Sequence, residues 1–242
     1  KKGYKIIVID DLANRKHFCN FLIDSGWYGK NSNFLRYHQL LNINSKKLLG
    51  PTFKIINPKI KKTKKRNFNI LIYFGGGNYI TKYNKLINFL INRLTTIKKK
   101  VILNIVCSDL IKIKKFNGKK NVDVNFINGN FDLSSLINNT SLYIGSNSSI
   151  VNELSYLKIP RILIAVNKLQ NIDVQTYQKL GNYICINHPN QKHQSKLAEL
   201  TIQIIKNYKR VKNLFNKTEI KINRNGASKI STILLKNYGK KN

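Results

Sequence analysis

Strand-length apolar runs recur along this chain, and stretches with helical periodicity separate them. The runs fall at Lys5–Ile9, Asn69–Phe74, Val101–Cys107, Val122–Ile127, Ser141–Ile144, Arg161–Val166 and Tyr183–Ile186. A strand that is apolar at nearly every position has no solvated face, so it belongs inside a parallel sheet covered on both sides. Between the runs, Lys82–Ile97, Asp132–Asn138, Ile150–Leu157, Gln170–Leu180 and Ser195–Tyr208 carry apolar residues at helical spacing. Alternation of the two patterns predicts βαβ units and an α/β fold.

Charge is the feature that most invites a different reading. With 44 Lys+Arg against 10 Asp+Glu the formal net charge is +34, yet 42% of the residues are hydrophobic, which supplies a core and argues against wholesale disorder. A basic surface gathers phosphates. Only 7 of the 44 basic residues are Arg, however, and Lys, Asn and Ile dominate, as the AAA, AAT and ATT codons of an AT-rich genome would write them. Nucleic-acid sites favour the planar fork of Arg. The charge therefore reads chiefly as composition, and a nucleic-acid partner is not expected.

The longest apolar stretches, such as Ile70–Phe74 and Ile162–Val166, are strand-length, whereas a membrane helix needs roughly 18 residues or more. Cys19, Cys107 and Cys185 are odd in number, far apart and set in apolar runs, which indicates neither a disulfide framework nor a zinc site. His38, His188 and His193 lack partners at ligand spacing, so no metal or cofactor is expected. The reading is of a cytoplasmic monomer. The chain opens Lys1-Lys2-Gly3-Tyr4 and contains no Met, from which a missing true N-terminus is expected; the first apolar run is too short for a signal peptide.

One segment, Asn57–Asn67, is basic and nearly free of apolar residues. It reads either as a linker or as a solvated loop. Taken as a linker it divides the chain into residues 1–60 and 61–242.

Three constellations could carry chemistry. Phe74-Gly75-Gly76-Gly77-Asn78 follows a strand and precedes a helix; consecutive glycines let a ligand approach the backbone, and helix amides favour a phosphate. It matches neither the P-loop nor the dinucleotide fingerprint, and a structural tight turn is the alternative. Ile144-Gly145-Ser146-Asn147-Ser148-Ser149 leads into Ile150-Val151-Asn152-Glu153, with Ser148 and Ser149 placed to cap the helix or donate to a diphosphate and Glu153 to accept from ribose hydroxyls. An ordinary capped helix is the alternative there. Asp10-Asp11-Leu12-Ala13-Asn14-Arg15-Lys16-His17 ends the first strand; its acids could serve acid-base chemistry or simply pair with Arg15.

These residues resemble a known family. Asp10-Asp11-Leu12-Ala13-Asn14-Arg15 with His17 and Cys19, then Leu48-Leu49-Gly50-Pro51 and Pro58, are similar to the UDP-2,4-diacetamido-2,4,6-trideoxy-β-L-altropyranose hydrolases of pseudaminic acid biosynthesis, a route to flagellin glycosylation. Phe74-Gly75-Gly76, Gly145, Ser149, Glu153, Ile159-Pro160, Gln170 and Asn225-Gly226-Ala227 continue the likeness in register over nearly the whole chain. The Asp-Asp-Leu-Ala block is its most specific part, since the later turns are shared with related UDP-sugar glycosyltransferases.

The resemblance implies a GT-B-like fold of two Rossmann-like parallel-sheet domains, the N-terminal one (1–60) incomplete and the C-terminal one (61–242) binding UDP. It implies attack of water on the anomeric carbon with C–O cleavage, inversion and release of UDP; a related glycosyltransferase, or a basic nucleic-acid-binding module, is the alternative. It places Gly76, Gly77 and Asn78 near the nucleotide sugar, Ser148 and Ser149 near the diphosphate, Glu153 on ribose and Gln170 near sugar or phosphate, with Thr81 and Asn152 also among the substrate-binding positions. Departures are Asn147-Ser148-Ser149-Ile150-Val151 where the family often has Gly-Gly-Ser-Thr-Thr, Lys168-Leu169 before Gln170 in place of Glu-Asn, and Asn57 in place of Arg. The family's general base, a His in a glycine-rich loop, is expected upstream of this chain, and His17 is not that residue.

Overall fold

The computed structural model describes residues 4–27, 35–64, 67–75, 82–107, 121–166, 181, 184–187, 191–218 and 220–238. In chain order the strands are β1 (Ile7–Ile9), β2 (Phe21–Asp24), β3 (Lys46–Leu49), β4 (Phe68–Tyr73), β5 (Val101–Val106), β6 (Val122–Ile127), β7 (Leu142–Ser146), β8 (Arg161–Ala165) and β9 (Ile184–Asn187). The helices are α1 (Asn84–Leu94), α2 (Leu133–Asn139), α3 (Ile150–Tyr156), α4 (Gln191–Lys206), α5 (Tyr208–Asn216) and α6 (Gly226–Tyr238). Contacts divide the chain into two units, Lys1–Pro58 with Ile220–Asn242, and Lys59–Glu219.

The larger unit is a six-stranded parallel sheet in the order β6-β5-β4-β7-β8-β9. The chain enters at the central β4, builds outward through β5 and β6, then returns to the other side of β4 with β7. That reversal leaves a topological switch point between the carboxyl ends of β4 and β7, where open α/β sheets characteristically hold ligands. Ile70, Ile72, Leu103, Ile105, Ile144, Ile162 and Ile164 form the sheet's buried layer, covered by Leu86, Leu90 and Leu94 of α1 and by Leu197, Ala198 and Ile205 of α4. Each such side chain contributes about 1.5–3 kcal/mol by leaving water, so the strand ends rest on a stiff base.

The smaller unit is a three-stranded parallel sheet in the order β1-β2-β3. Helix α6 covers it, Ile230 with Ile233 and Leu234 packing on Phe21, Ile23 and Leu48. A Cβ on Gly226 would lie 2.0 Å from the Lys54 carbonyl oxygen, so only glycine lets the start of α6 come this close. The sequence-based division had assigned these C-terminal residues to the second domain, but the apolar stripe of α6 has its partner in the first sheet.

The basic segment 57–67 contains the division between the units at Pro58 and Lys59. It is not simply solvated. Ile60 is fully buried, the Lys61 amide donates to Asn138 Oδ1 at 2.9 Å, Asn138 Nδ2 donates to the Lys59 carbonyl at 2.9 Å, and Thr63 Oγ1 donates to the Asn138 carbonyl at 2.7 Å. One asparagine of α2 thus pins the segment.

Strands β4 to β9 lie where the apolar runs predicted them, whereas β2, β3, α5 and α6 were not anticipated. β2 is only four residues long, and β3 opens on two exposed lysines, so neither offers a long apolar run. The helix expected at Gln170–Leu180 lies outside the described residues. No helix among the described residues is long and apolar enough to cross a membrane, and no group of three or more His, Cys, Asp or Glu among them could hold a metal.

Candidate functional site

At the switch point Tyr73 of β4 stands opposite Gly145 of β7 in the parallel register. A Cβ on Gly145 would lie 1.9 Å from the Tyr73 carbonyl oxygen and 2.6 Å from the Tyr143 hydroxyl, so glycine is required here by close approach of two strands. Tyr143 lies two residues earlier on the same face of β7. Its hydroxyl is 2.8 Å from the carbonyls of both Tyr73 and Ser146; a phenol has one proton, so it serves them in turn. Burial pushes the Tyr143 pKa up, offset in part by the Ser146 and Ser148 hydroxyls beside it. It remains a neutral donor.

Gly75 follows β4 with φ +87°, the left-handed region that glycine alone enters without penalty. Its missing Cβ leaves open the space beside Ser146, whose Oγ would be 3.7 Å away. Of the first glycine turn read from the sequence, Gly75 therefore lies beside Ser146 of the second.

Beyond β7 the chain turns tightly into α3. The Val151 amide donates to the Ser148 carbonyl and the Asn152 amide to the Ser149 carbonyl, each at 3.0 Å. These two amides are engaged within the turn, and of the two roles open to Ser149 the capping one is not seen: it makes no side-chain cap. What remains open is side-chain chemistry. Ser146 Oγ and Ser148 Oγ are shut off from solvent; they lie beside the Tyr143 hydroxyl but complete no hydrogen bond of good geometry among the described residues, a state that costs about 1–3 kcal/mol per group unless a partner arrives. Glu153 lies in the first turn of α3, half-buried beside Asn152.

The structure thus brings Gly75, Gly145, Ser146, Ser148, Ser149, Asn152 and Glu153 to one end of one sheet. Gly76, Gly77, Asn78, Thr81 and Gln170 lie outside the described residues. Tyr143 was missed, and Ser146 stood in its motif without a role; the available signal for Tyr143 was a tyrosine two positions before a strand glycine, which puts both on one face.

The Asp10 constellation lies in the other unit, at the carboxyl ends of β1 and β2. Of the two alternatives, pairing of Asp10 with Arg15 is not what the structure has: Asp10 Oδ2 faces His17 Nε2 at 3.3 Å and accepts from the Ala13 amide and the Tyr37 hydroxyl, both at 3.0 Å. Tyr37 is also 3.1 Å from Asp24 Oδ2, and Asp24 in turn pairs with Arg36 at 3.0 Å. Burial would raise the Asp10 pKa, but donation from Ala13, Tyr37, Leu12 and His17 holds it below the usual carboxylate value. Asp24 is shifted upward, because burial outweighs Gly26, Arg36 and Tyr37. Ala13, at φ +49°, is held in the left-handed region by its bond to Asp10. Asp24 and the adjacent pair Arg36 and Tyr37 come from two other places in the sequence, which spacing alone does not connect to Asp10.

No protein-family model and no curated protein matches this chain. Solved structures do. MurG from Acinetobacter baumannii matches with 12% identity and a TM-score of 0.56, over 97% of this chain and 67% of that one. The spinosyn rhamnosyltransferase SpnG matches with 11% identity and a TM-score of 0.51, over 89% of this chain and 56% of that one. A putative UDP-N-acetylglucosamine 2-epimerase from Listeria monocytogenes matches with 10% identity and a TM-score of 0.50, over 74% of this chain and 50% of that one. The chain therefore corresponds to between half and two thirds of these proteins. Its α/β fold is GT-B-like.

Proposed function

We propose that the protein acts on a nucleotide sugar bound at the switch point, and that its reaction is hydrolysis of a UDP-linked 2,4-diacetamido-2,4,6-trideoxy hexose. The observation that carries this reading is the placement of Gly75 beside Ser146 where β4 and β7 end, with the Ser146 and Ser148 hydroxyls buried and completing no hydrogen bond among the described residues. Diphosphate oxygens seated there would supply acceptors. Glu153, one turn into α3, would accept from ribose hydroxyls. Gly75 places no side chain beside Ser146, so the phosphates can approach backbone there.

In the proposed reaction water attacks the anomeric carbon, the C–O bond to the diphosphate breaks, UDP leaves with the bonding pair, and configuration at that carbon inverts. The residues around the switch point hold and orient the leaving group, and none of them is assigned the general base. The Asp10 cluster is assigned no step.

A glycosyltransferase reaction is the second reading, supported by the fold likeness to MurG and SpnG. It would use the same nucleotide site and pass the sugar to another acceptor. Product analysis separates the two. Free sugar and UDP in equal amounts, formed without any added acceptor, support the hydrolase; turnover that needs an added acceptor overturns it in favour of transfer.

A further inference from the structure

Helix α5 lies across the opposite edge of the six-stranded sheet, over the amino ends of its strands. Tyr208 packs edge-on against Phe68 at 5.0 Å and donates to the Ser141 carbonyl at 3.1 Å, while Phe215 underlies the Arg161 guanidinium at 5.3 Å. These contacts fix it over the starts of β4, β7 and β8. Val211 and Phe215, one helical turn apart, are its buried anchors.

Two depressions flank this helix. One, of about 520 Å³, is lined by Lys206, Lys209, Arg210 and Lys217 together with Leu214 and asparagines. The other, of about 190 Å³, is lined by Lys61, Lys62, Lys158 and Lys212 with Thr63 and Asn138 among its neighbours. Among the described residues neither is lined by a carboxylate, and residues 206–217 contain none. Elsewhere in this unit lysines meet acids, as at Lys100 and Asp123, 3.1 Å apart. Codon usage scatters lysines without regard to the fold; it does not account for their gathering around one amphipathic helix from which the acids are absent. A helix C-terminus attracts cations within its last turn, which explains Lys206 but not cations along all of α5.

We propose that the two basic depressions and the outward face of α5 form a docking surface for an anionic phospholipid surface. Three observations select that partner. Among the described residues no aromatic side chain lines either depression, so they offer no platform for stacking bases. Seven of the eight cations named are lysines, compact charges suited to diffuse phosphates rather than bidentate reading of base edges. Leu214 stands 48% exposed among them, an apolar contact of the kind that basic amphipathic helices sink into the headgroup boundary. The surface is separated from the switch point by the length of β4, about 20 Å for six residues, so docking leaves that site open.

Cosedimentation with vesicles tests this. The whole chain is mixed with vesicles of phosphatidylcholine, alone or with phosphatidylglycerol at about one third, in about 0.1 M salt. Binding to the anionic vesicles alone is expected, lost on raising salt several-fold because exposed charges are screened. The triple variant Lys209→Glu, Arg210→Glu, Lys212→Glu is expected to bind at least tenfold more weakly; Lys16→Glu, Lys47→Glu, Lys236→Glu, equal in charge but in the other unit, is expected to bind within about twofold of wild type. Should the first triple melt early by circular dichroism, the corresponding Gln triple takes its place. Leu214→Ser, which leaves the charge unchanged, is expected to weaken binding several-fold. Equal loss in both triples would mean that net charge alone acts, and would overturn the proposal. So would absence of vesicle binding, or tighter binding to a DNA or RNA oligonucleotide at the same salt.

Discussion

The Tyr143 hydroxyl lies 2.8 Å from the carbonyl oxygen of Tyr73, joining two parallel strands at the point where the sheet reverses its winding. Tyr143→Phe leaves a buried carbonyl without its donor and is expected to cost about 1–3 kcal/mol. Gly145→Ala drives a methyl group into the same carbonyl and is expected to cost more, since two strands must separate to admit it. Urea denaturation of both variants checks the order; a Gly145→Ala protein as stable as Tyr143→Phe would contradict the close approach.

Ser146 offers a prediction with opposite signs. Its buried hydroxyl completes no hydrogen bond of good geometry among the described residues, so Ser146→Ala is expected to leave the free protein as stable as wild type or about 1 kcal/mol more stable. UDP affinity is expected to fall roughly tenfold, or about 1.4 kcal/mol. Loss of stability with unchanged affinity would show the hydroxyl to be structural.

Acid should act on the smaller unit through Asp10. Its folded pKa lies below the ordinary value of 3.8, so its contribution to stability is full above 3.8 and is lost as pH falls from there through the folded value. Asp24 has the opposite sign. Its raised pKa favours the protonated form, a contribution present below 3.8 and lost as pH rises through the folded value. Melting curves below pH 5 should therefore be flatter for Asp10→Asn than for wild type; an unchanged acid limb would contradict the assignment.

Tyr37 is the donor facing both of those carboxylates. Tyr37→Phe is expected to destabilise by about 1–3 kcal/mol, and the same change in Asp10→Asn should cost less because the two share a bond. A double-mutant cycle by thermal melts reads the coupling directly; strict additivity would mean that the Tyr37 hydroxyl and Asp10 act independently.

How far the sequence revealed this molecule depended on periodicity. The runs at Asn69–Phe74 and Arg161–Val166 are long and apolar, and interior parallel strands look like that wherever they occur. β3, with Lys46 and Lys47 exposed at its start, carries no such signature, because its apolar face is only one turn of pleat wide and faces α6. Gly145 and Ser148 stood out as turn residues. Tyr143 did not, since a tyrosine in a strand declares its hydroxyl partner only when the neighbouring strand is known. The distant partner of Asp10 was hidden for a similar reason: Tyr37 meets it through tertiary folding and links it to Asp24, which pairs with Arg36.

Calorimetric titration with UDP tests the central claim most directly, with wild type, Ser148→Ala and Glu153→Ala measured side by side. The switch-point account predicts binding at one site per chain, weakened at least tenfold by either substitution while both variants keep the wild-type melting temperature within a few degrees. No heat with wild type, or equal affinities in all three proteins, would contradict it.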